Sequence, residues 1–138
     1  MKKELRQLAL GAVLASAFTA PAFAQPYLPG HEVASEVVGN TLQGQYRECG
    51  ESRKDFYEFY KKDGTVHGKE RECSMGGNWA SYVGNWSVKD GKFCVNFSSG
   101  KLGGCYDYEG AGDGKLKRAG MSADAVEFII LDGNPENL

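Results

Sequence analysis

The chain has 138 residues, 41% hydrophobic and 25% charged, which suits one folded domain. Its 16 Lys and Arg against 18 Asp and Glu give a formal net charge of −2. That balance argues against nucleic acid, which demands a basic stripe, and against an electrostatic hold on anionic lipid.

Residues 1–24 read as a secretory signal peptide. Lys2, Lys3 and Arg6 make the start positive, Leu8 to Ala20 is an uncharged, mostly apolar run, and Pro21-Ala22-Phe23-Ala24 places small residues where a signal peptidase reads them. The run is too short for a transmembrane span, so no membrane insertion is expected after cleavage. Cleavage after Ala24 leaves 114 residues with 13 basic and 17 acidic side chains, a net charge of −4. The expected location is periplasmic or secreted.

Residues 25–40 form the next unit. Gln25 to Gly30, with two prolines, is an extended lead-in, and His31 to Val38 predicts a short helix ending at Gly39-Asn40. From residue 41 to 138 the chain changes character. Aromatic and β-branched runs of five to eight residues are cut by Asp-Gly pairs at Asp63-Gly64, Asp90-Gly91, Asp113-Gly114 and Asp132-Gly133. Asp-Gly between alternating runs marks a hairpin whose two central residues need positive φ. Regularly repeated short strands predict an all-β fold, a small antiparallel meander barrel of about eight strands, lipocalin-like or inhibitor-like.

The first hairpin is the least determined. Phe56-Tyr57-Glu58-Phe59-Tyr60 carries aromatics on both faces, which predicts a neighbouring segment packed over it or a surface patch at Tyr57 and Phe59. A two-residue Asp63-Gly64 turn sets Glu58 opposite Lys69, a favourable cross-strand pair, and His67 opposite Tyr60. Around Asp90-Gly91, Val88 faces Phe93, Trp86 faces Val95 and Gly84 faces Phe97. A Ser99-Gly100 turn then sets Phe97 opposite Leu102, Val95 opposite Gly104, Cys94 opposite Cys105 and Phe93 opposite Tyr106. Together these registers gather Tyr82, Trp86, Val88, Phe93, Val95, Phe97, Leu102 and Tyr106 on one face, closed by Val126, Phe128 and Ile130 of the last strand. Gly84 and Gly104 leave room for large rings or mark bends. Within that face Tyr82, Trp86, Phe93, Phe97 and Tyr106 are the candidate ligand-facing or core residues.

Four cysteines in a short exported chain predict two disulfides. Their spacings of 24, 21 and 11 residues hold no close pair for a metal site. Directly opposed Cα atoms lie about 4.5–5.5 Å apart, within disulfide range, so Cys94–Cys105 is the favoured bridge. Cys49 and Cys73 remain for each other. An Asp63-Gly64 turn aligning Lys54 with Cys73, and a Glu51-Ser52 turn aligning Cys49 with Lys54, set these two about 9–10 Å apart, two strand spacings. At least one of them must therefore sit in a loop that folds back.

No catalytic constellation emerges. His31 lies in the lead-in unit and His67 stands alone on a strand. Glu70 and Glu72 alternate onto one face and read as solvated surface. The run Gly110 to Lys115 resembles a phosphate loop but has Leu116 where Ser or Thr is required, and it lacks the spacing of a calcium loop. No metal, cofactor or catalytic residue is assigned.

Several motifs in order carry a resemblance: Val38-Gly39-Asn40-Thr41, Phe59-Tyr60-Lys61-Lys62-Asp63-Gly64-Thr65, Gly84-Asn85-Trp86-Ser87-Val88, Phe93-Cys94, Cys105-Tyr106 and Leu131-Asp132-Gly133-Asn134-Pro135. The chain resembles a group of small exported alphaproteobacterial proteins, largely of unknown function. In that group the pair matching Cys94 and Cys105 is the usual one, which makes Cys49 and Cys73 an addition. Gly84-x-Trp86 followed by Cys94 is also similar to periplasmic inhibitors of secreted metalloproteases. Those are eight-stranded barrels that insert an N-terminal segment into the protease. Gln25 to Gly30 would be the counterpart, without a matching motif. The expected function is non-catalytic binding of a small apolar ligand or a periplasmic protein partner. The alternative is inhibition of a hydrolase of protease or lysozyme type.

Overall fold

Asp90 and Gly91 hold φ of 51° and 73°, the paired positive values of a two-residue type I′ turn. In the computed structural model, which describes residues 27–46, 54–72, 77–98, 103–119 and 127–138, this turn joins two strands in the expected register. Val88 faces Phe93, Trp86 faces Val95 and Gly84 faces Phe97. The next pairing also follows expectation, with Phe93 opposite Tyr106, Cys94 opposite Cys105 and Val95 opposite Gly104. A disulfide joins Cys94 and Cys105, whose Cα atoms are 4.0 Å apart. Replacing both cysteines by alanine is expected to lower stability by about 2–3 kcal/mol, because the bond closes a short loop in the unfolded chain. Urea melts of wild type and C94A/C105A check this; equal midpoints would refute it.

The elements are α1 (Gly30–Val37), β1 (Thr41–Tyr46), β2 (Lys54–Tyr60), β3 (Thr65–Glu72), β4 (Ala80–Lys89), β5 (Lys92–Phe97), β6 (Gly104–Gly110), β7 (Lys115–Ala119) and β8 (Glu127–Leu131). Each strand pairs antiparallel with the next, and β8 returns to β1 through Thr41–Leu131, Leu42–Ile130 and Gln43–Ile129. The result is a closed, eight-stranded meander barrel with a short N-terminal helix. Closure satisfies both outer edges, which an open sheet would leave unpaired.

Three of the four Asp-Gly pairs depart from the two-residue form. At Asp63-Gly64 the connection is one residue longer. Gly64 donates to the Lys61 carbonyl and Lys61 to that of Thr65, while Gly64 takes φ 91°. This is a three-residue loop ending in a left-handed glycine. The Asp63 carboxylate accepts from the Thr65 hydroxyl at 2.6 Å and the Thr65 amide at 3.0 Å, and these bonds hold its pKa below the usual carboxylate value. The extra residue shifts the register by one. Glu58 therefore faces Gly68 rather than Lys69, and His67 faces Phe59 rather than Tyr60.

Asp113-Gly114 likewise belongs to a three-residue loop, closed by the Ala111 amide on the Lys115 carbonyl. Asp132-Gly133 joins no strands. It follows β8, where Gly133 donates to Asn40 Oδ1 and accepts from the Thr41 hydroxyl. The β1–β2 alignment differs as well, since Lys54 faces Tyr46, not Cys49, and Glu72, not Cys73. Cys49, Cys73, Leu102, Val126, the Ser99-Gly100 turn and the signal peptide lie outside the described residues.

The core forms where alternate residues point inward. Leu42, Phe56, Tyr60, Val66, Phe93, Val95, Tyr108, Leu116 and Phe128 are buried together. Gly84 provides the expected space, for a Cβ there would stand 2.7 Å from the Phe97 ring. Val88 is a correction. Although it shares the inward parity of Trp86, it lies next to the β4–β5 turn at the barrel's end and stays exposed. Glu70 is another, following Val66 and Gly68 inward and half-buried instead of solvated.

The helix seals one end of the barrel. Val33 and Val37, one turn apart, are buried in the core with Gly30. Leu28 donates to the Tyr108 carbonyl and Gly30 to that of Gly91, while Gly39, with φ 86°, donates to the Tyr60 carbonyl after the last turn. The helix is thus tied at its start to β6 and the β4–β5 turn, and at its finish to the end of β2.

Candidate functional site

Inward alternation on β2 places Phe56, Glu58 and Tyr60 inside the barrel and Tyr57 and Phe59 outside. Glu58 is only 2% exposed. Its Oε2 accepts from the Tyr60 hydroxyl and its Oε1 from the Tyr82 hydroxyl of β4, both at 2.7 Å. A carboxylate taken from water needs such donors, and two short hydroxyl bonds meet much of that requirement. Tyr82 can lie flat against β3 because residue 68 is glycine: a Cβ at Gly68 would fall 2.4 Å from the ring.

Across the barrel, β7 places Leu116 and Arg118 inward between outward Lys115 and Lys117. Arg118 is 6% exposed. Its guanidinium lies over Tyr106, 4.2 Å from the ring centroid, with Phe128 at 5.0 Å and Tyr108 at 5.5 Å. These ring faces attract the cation. In the guanidinium plane, Nη2 donates to the Tyr108 hydroxyl at 3.1 Å, but Nε is buried without a partner. Among the described residues, no ion pair joins Arg118 to Glu58.

The two charges nevertheless sense one another. Burial opposes the Arg118 charge, yet Tyr108, Tyr60 and Glu58 more than offset this and raise its pKa above the ordinary value. Burial, reinforced by Glu58, pushes the Tyr60 phenol well above its usual pKa. Burial also raises Tyr108, although Arg118 works in the opposite direction.

A raised phenol pKa favours the neutral form in the native state. Its stabilisation is therefore complete below the unfolded value of about 10 and is lost as pH rises through the native value. The tyrosinate absorbance of the seven tyrosines is expected to show an ordinary phase from exposed rings. Tyr60 and Tyr108 should follow later, in a cooperative step together with unfolding. One smooth titration near pH 10 in the folded protein would contradict this.

The sequence-predicted face is brought together. Tyr82 and Phe93 are buried, and Trp86, Phe97 and Tyr106 are half-buried against the core. Trp86 stacks on Phe93 at 5.9 Å and donates to the Lys61 carbonyl, and Tyr82 meets Phe97 edge-on at 5.3 Å. The charged pair was missed. Alternation of Leu116 with Arg118 is a signal that finds the arginine, whereas Glu58 between aromatics on both faces offered no comparable cue.

Outside, Tyr57 and Phe59 are half-buried. Trp79 packs on Tyr57 with ring centroids 5.6 Å apart, and Lys69 lies over both rings and pairs with Glu136 at 2.6 Å. The tail after β8 thus reaches from Thr41 to the outer side of β3, placing a neighbouring segment beside the two-faced strand.

Among the described residues, no group of three or more His, Cys, Asp or Glu side chains could hold a metal, and no helix is long and apolar enough to cross a membrane. No protein-family model matches the chain, and neither does any curated protein or solved structure.

Proposed function

We propose that this chain is an exported, periplasmic binding protein that holds a small, largely apolar molecule between the aromatic walls of its barrel and performs no chemistry on it. The observation that carries this reading is the pair of buried charges, Glu58 and Arg118, inside a ring-lined interior without closing on each other. Packing alone favours an apolar interior or a directly paired one. Charged groups held apart among aromatic rings instead suit a site with a few polar groups that orient a ligand. The Cys94–Cys105 disulfide accords with an oxidising compartment.

The inhibitor reading has less support. Leu28 and Gly30 are hydrogen-bonded to the barrel, so the lead-in is not a free arm over its whole length.

The two tryptophans provide a test, because Trp86 points inward and Trp79 packs on the outer side of Tyr57. A neutral brominated alkane, which quenches fluorescence only at contact, should quench Trp86 saturably in W79F and leave Trp79 unquenched in W86F. Quenching of Trp79 alone, or none of either, would sink the interior site.

A further inference from the structure

We infer that Arg118 is the anchor for a carboxylate, so that the molecule held in the barrel is an amphiphile with an apolar body and an anionic head. This rests on the interior-binding reading and adds the ligand's chemical class. The guanidinium has five N–H donors, always charged, in a fixed planar fork. Here the guanidinium lies over the Tyr106 and Phe128 rings, and one nitrogen, Nη2, donates to Tyr108. Nε is buried and has no acceptor. A buried donor left unsatisfied on a charged group is costly, and native proteins seldom leave one without an explanation.

A guanidinium N–H is satisfied by an oxygen acceptor lying in its plane. A carboxylate fits best, because it matches the fork geometry and balances the cation at short range. Glu58 does not fill this role, since no ion pair joins it to Arg118 and its two oxygens are directed to Tyr60 and Tyr82. The half-buried Tyr106 ring beside Arg118 offers apolar contact to the rest of such a molecule.

The test compares 9,10-dibromostearic acid with its methyl ester by quenching of Trp86 in the W79F background. The two probes share the apolar body and differ in head charge. A charge-assisted hydrogen bond predicts about tenfold to a hundredfold tighter binding of the acid. R118M should abolish this preference while retaining binding of the ester. R118K, which keeps the charge but loses the fork, should retain part of it. Near-ultraviolet circular dichroism identifies any variant that fails to fold. In that case the acid-to-ester ratio in the Arg118 protein decides by itself.

Equal binding of acid and ester would overturn the anchor, leaving Nε to water or a neutral acceptor. Binding of the neutral alkane with exclusion of the acid would likewise overturn the anchor and spare the interior site. Failure of alkane, ester and acid together would overturn the interior site itself.

Discussion

Glu58→Ala is expected to lower stability by about 3–5 kcal/mol, the range for removing one member of a buried charged network. Three costs combine. The Tyr60 and Tyr82 hydroxyls lose their acceptor, a space opens where the side chain stood, and Arg118 loses the opposite charge in the same interior. Small domains are held by only about 5–15 kcal/mol, so the variant should be marginal at room temperature. Glu58→Gln keeps the volume and one acceptor oxygen, and should cost about 1–3 kcal/mol.

The combination E58L/Y60F/Y82F/Y108F/R118M removes Glu58, Arg118 and the three hydroxyls bonded to them together. It should recover much of the loss, because an apolar replacement leaves no charge or donor stranded. Urea melts with unchanged m values check the series. An E58A variant within about 1 kcal/mol of wild type would show that the network does not carry the interior in the way its geometry implies.

Gly30→Ala tests the seal at the barrel's end, where two principles predict opposite signs. By helix propensity, alanine should stabilise α1 by up to about 1 kcal/mol. By packing, the new Cβ would stand 2.6 Å from the Lys92 carbonyl carbon, 2.9 Å from the Phe93 nitrogen and 3.0 Å from the Gly91 oxygen. All three are backbone atoms of a hydrogen-bonded turn and cannot swing aside as a flexible side chain would. The helix must lift, stretching the Gly30–Gly91 bond and withdrawing Val33 and Val37, each worth about 1.5–3 kcal/mol when fully buried. The clash should win, with a net loss of about 2–4 kcal/mol. Faster hydrogen exchange at the Val33 and Val37 amides should accompany it. An unchanged or raised melting temperature would show that the helix start has room to adjust.

The barrel was legible because its chain order is simple and its β4–β5 turn is determinate. Asp90-Gly91 can satisfy both positive φ values in a two-residue loop, so counting outward from it places Trp86, Val95 and Phe97 correctly. Counting onward through the next hairpin brings Cys94 opposite Cys105. Asp63-Gly64 shows the limit of the same reasoning. The dipeptide also suits a three-residue loop, in which only the glycine is left-handed and the aspartate uses its carboxylate on Thr65.

That single residue decides what Glu58 and Lys69 face. A carboxylate flanked by aromatics on alternating faces reads as surface when a lysine is placed opposite. Its burial depends on Tyr82, 24 positions along the chain, which pairing of β3 with β4 brings near. Arg118 was within reach through alternation with Leu116, but the neighbouring Lys115 and Lys117 dominate a reading by composition. Val88 was misplaced for a different reason: parity gives the face of a strand, not how far the neighbouring wall extends beside it.

The seam between β1 and β8 has a consequence for the order in which the molecule acquires its structure. β1 is the first strand made and β8 the last, and Thr41 cannot meet Leu131 until nearly the whole chain is available. Pairings of such long sequence separation are slow to form. A chain arrested before Glu127 would leave β1 and β7 each without one neighbour, inviting association between copies. During synthesis, the final strand therefore sets the moment at which the earlier strands gain full protection. Shortening the chain at that end is more damaging than the five residues of β8 alone would suggest.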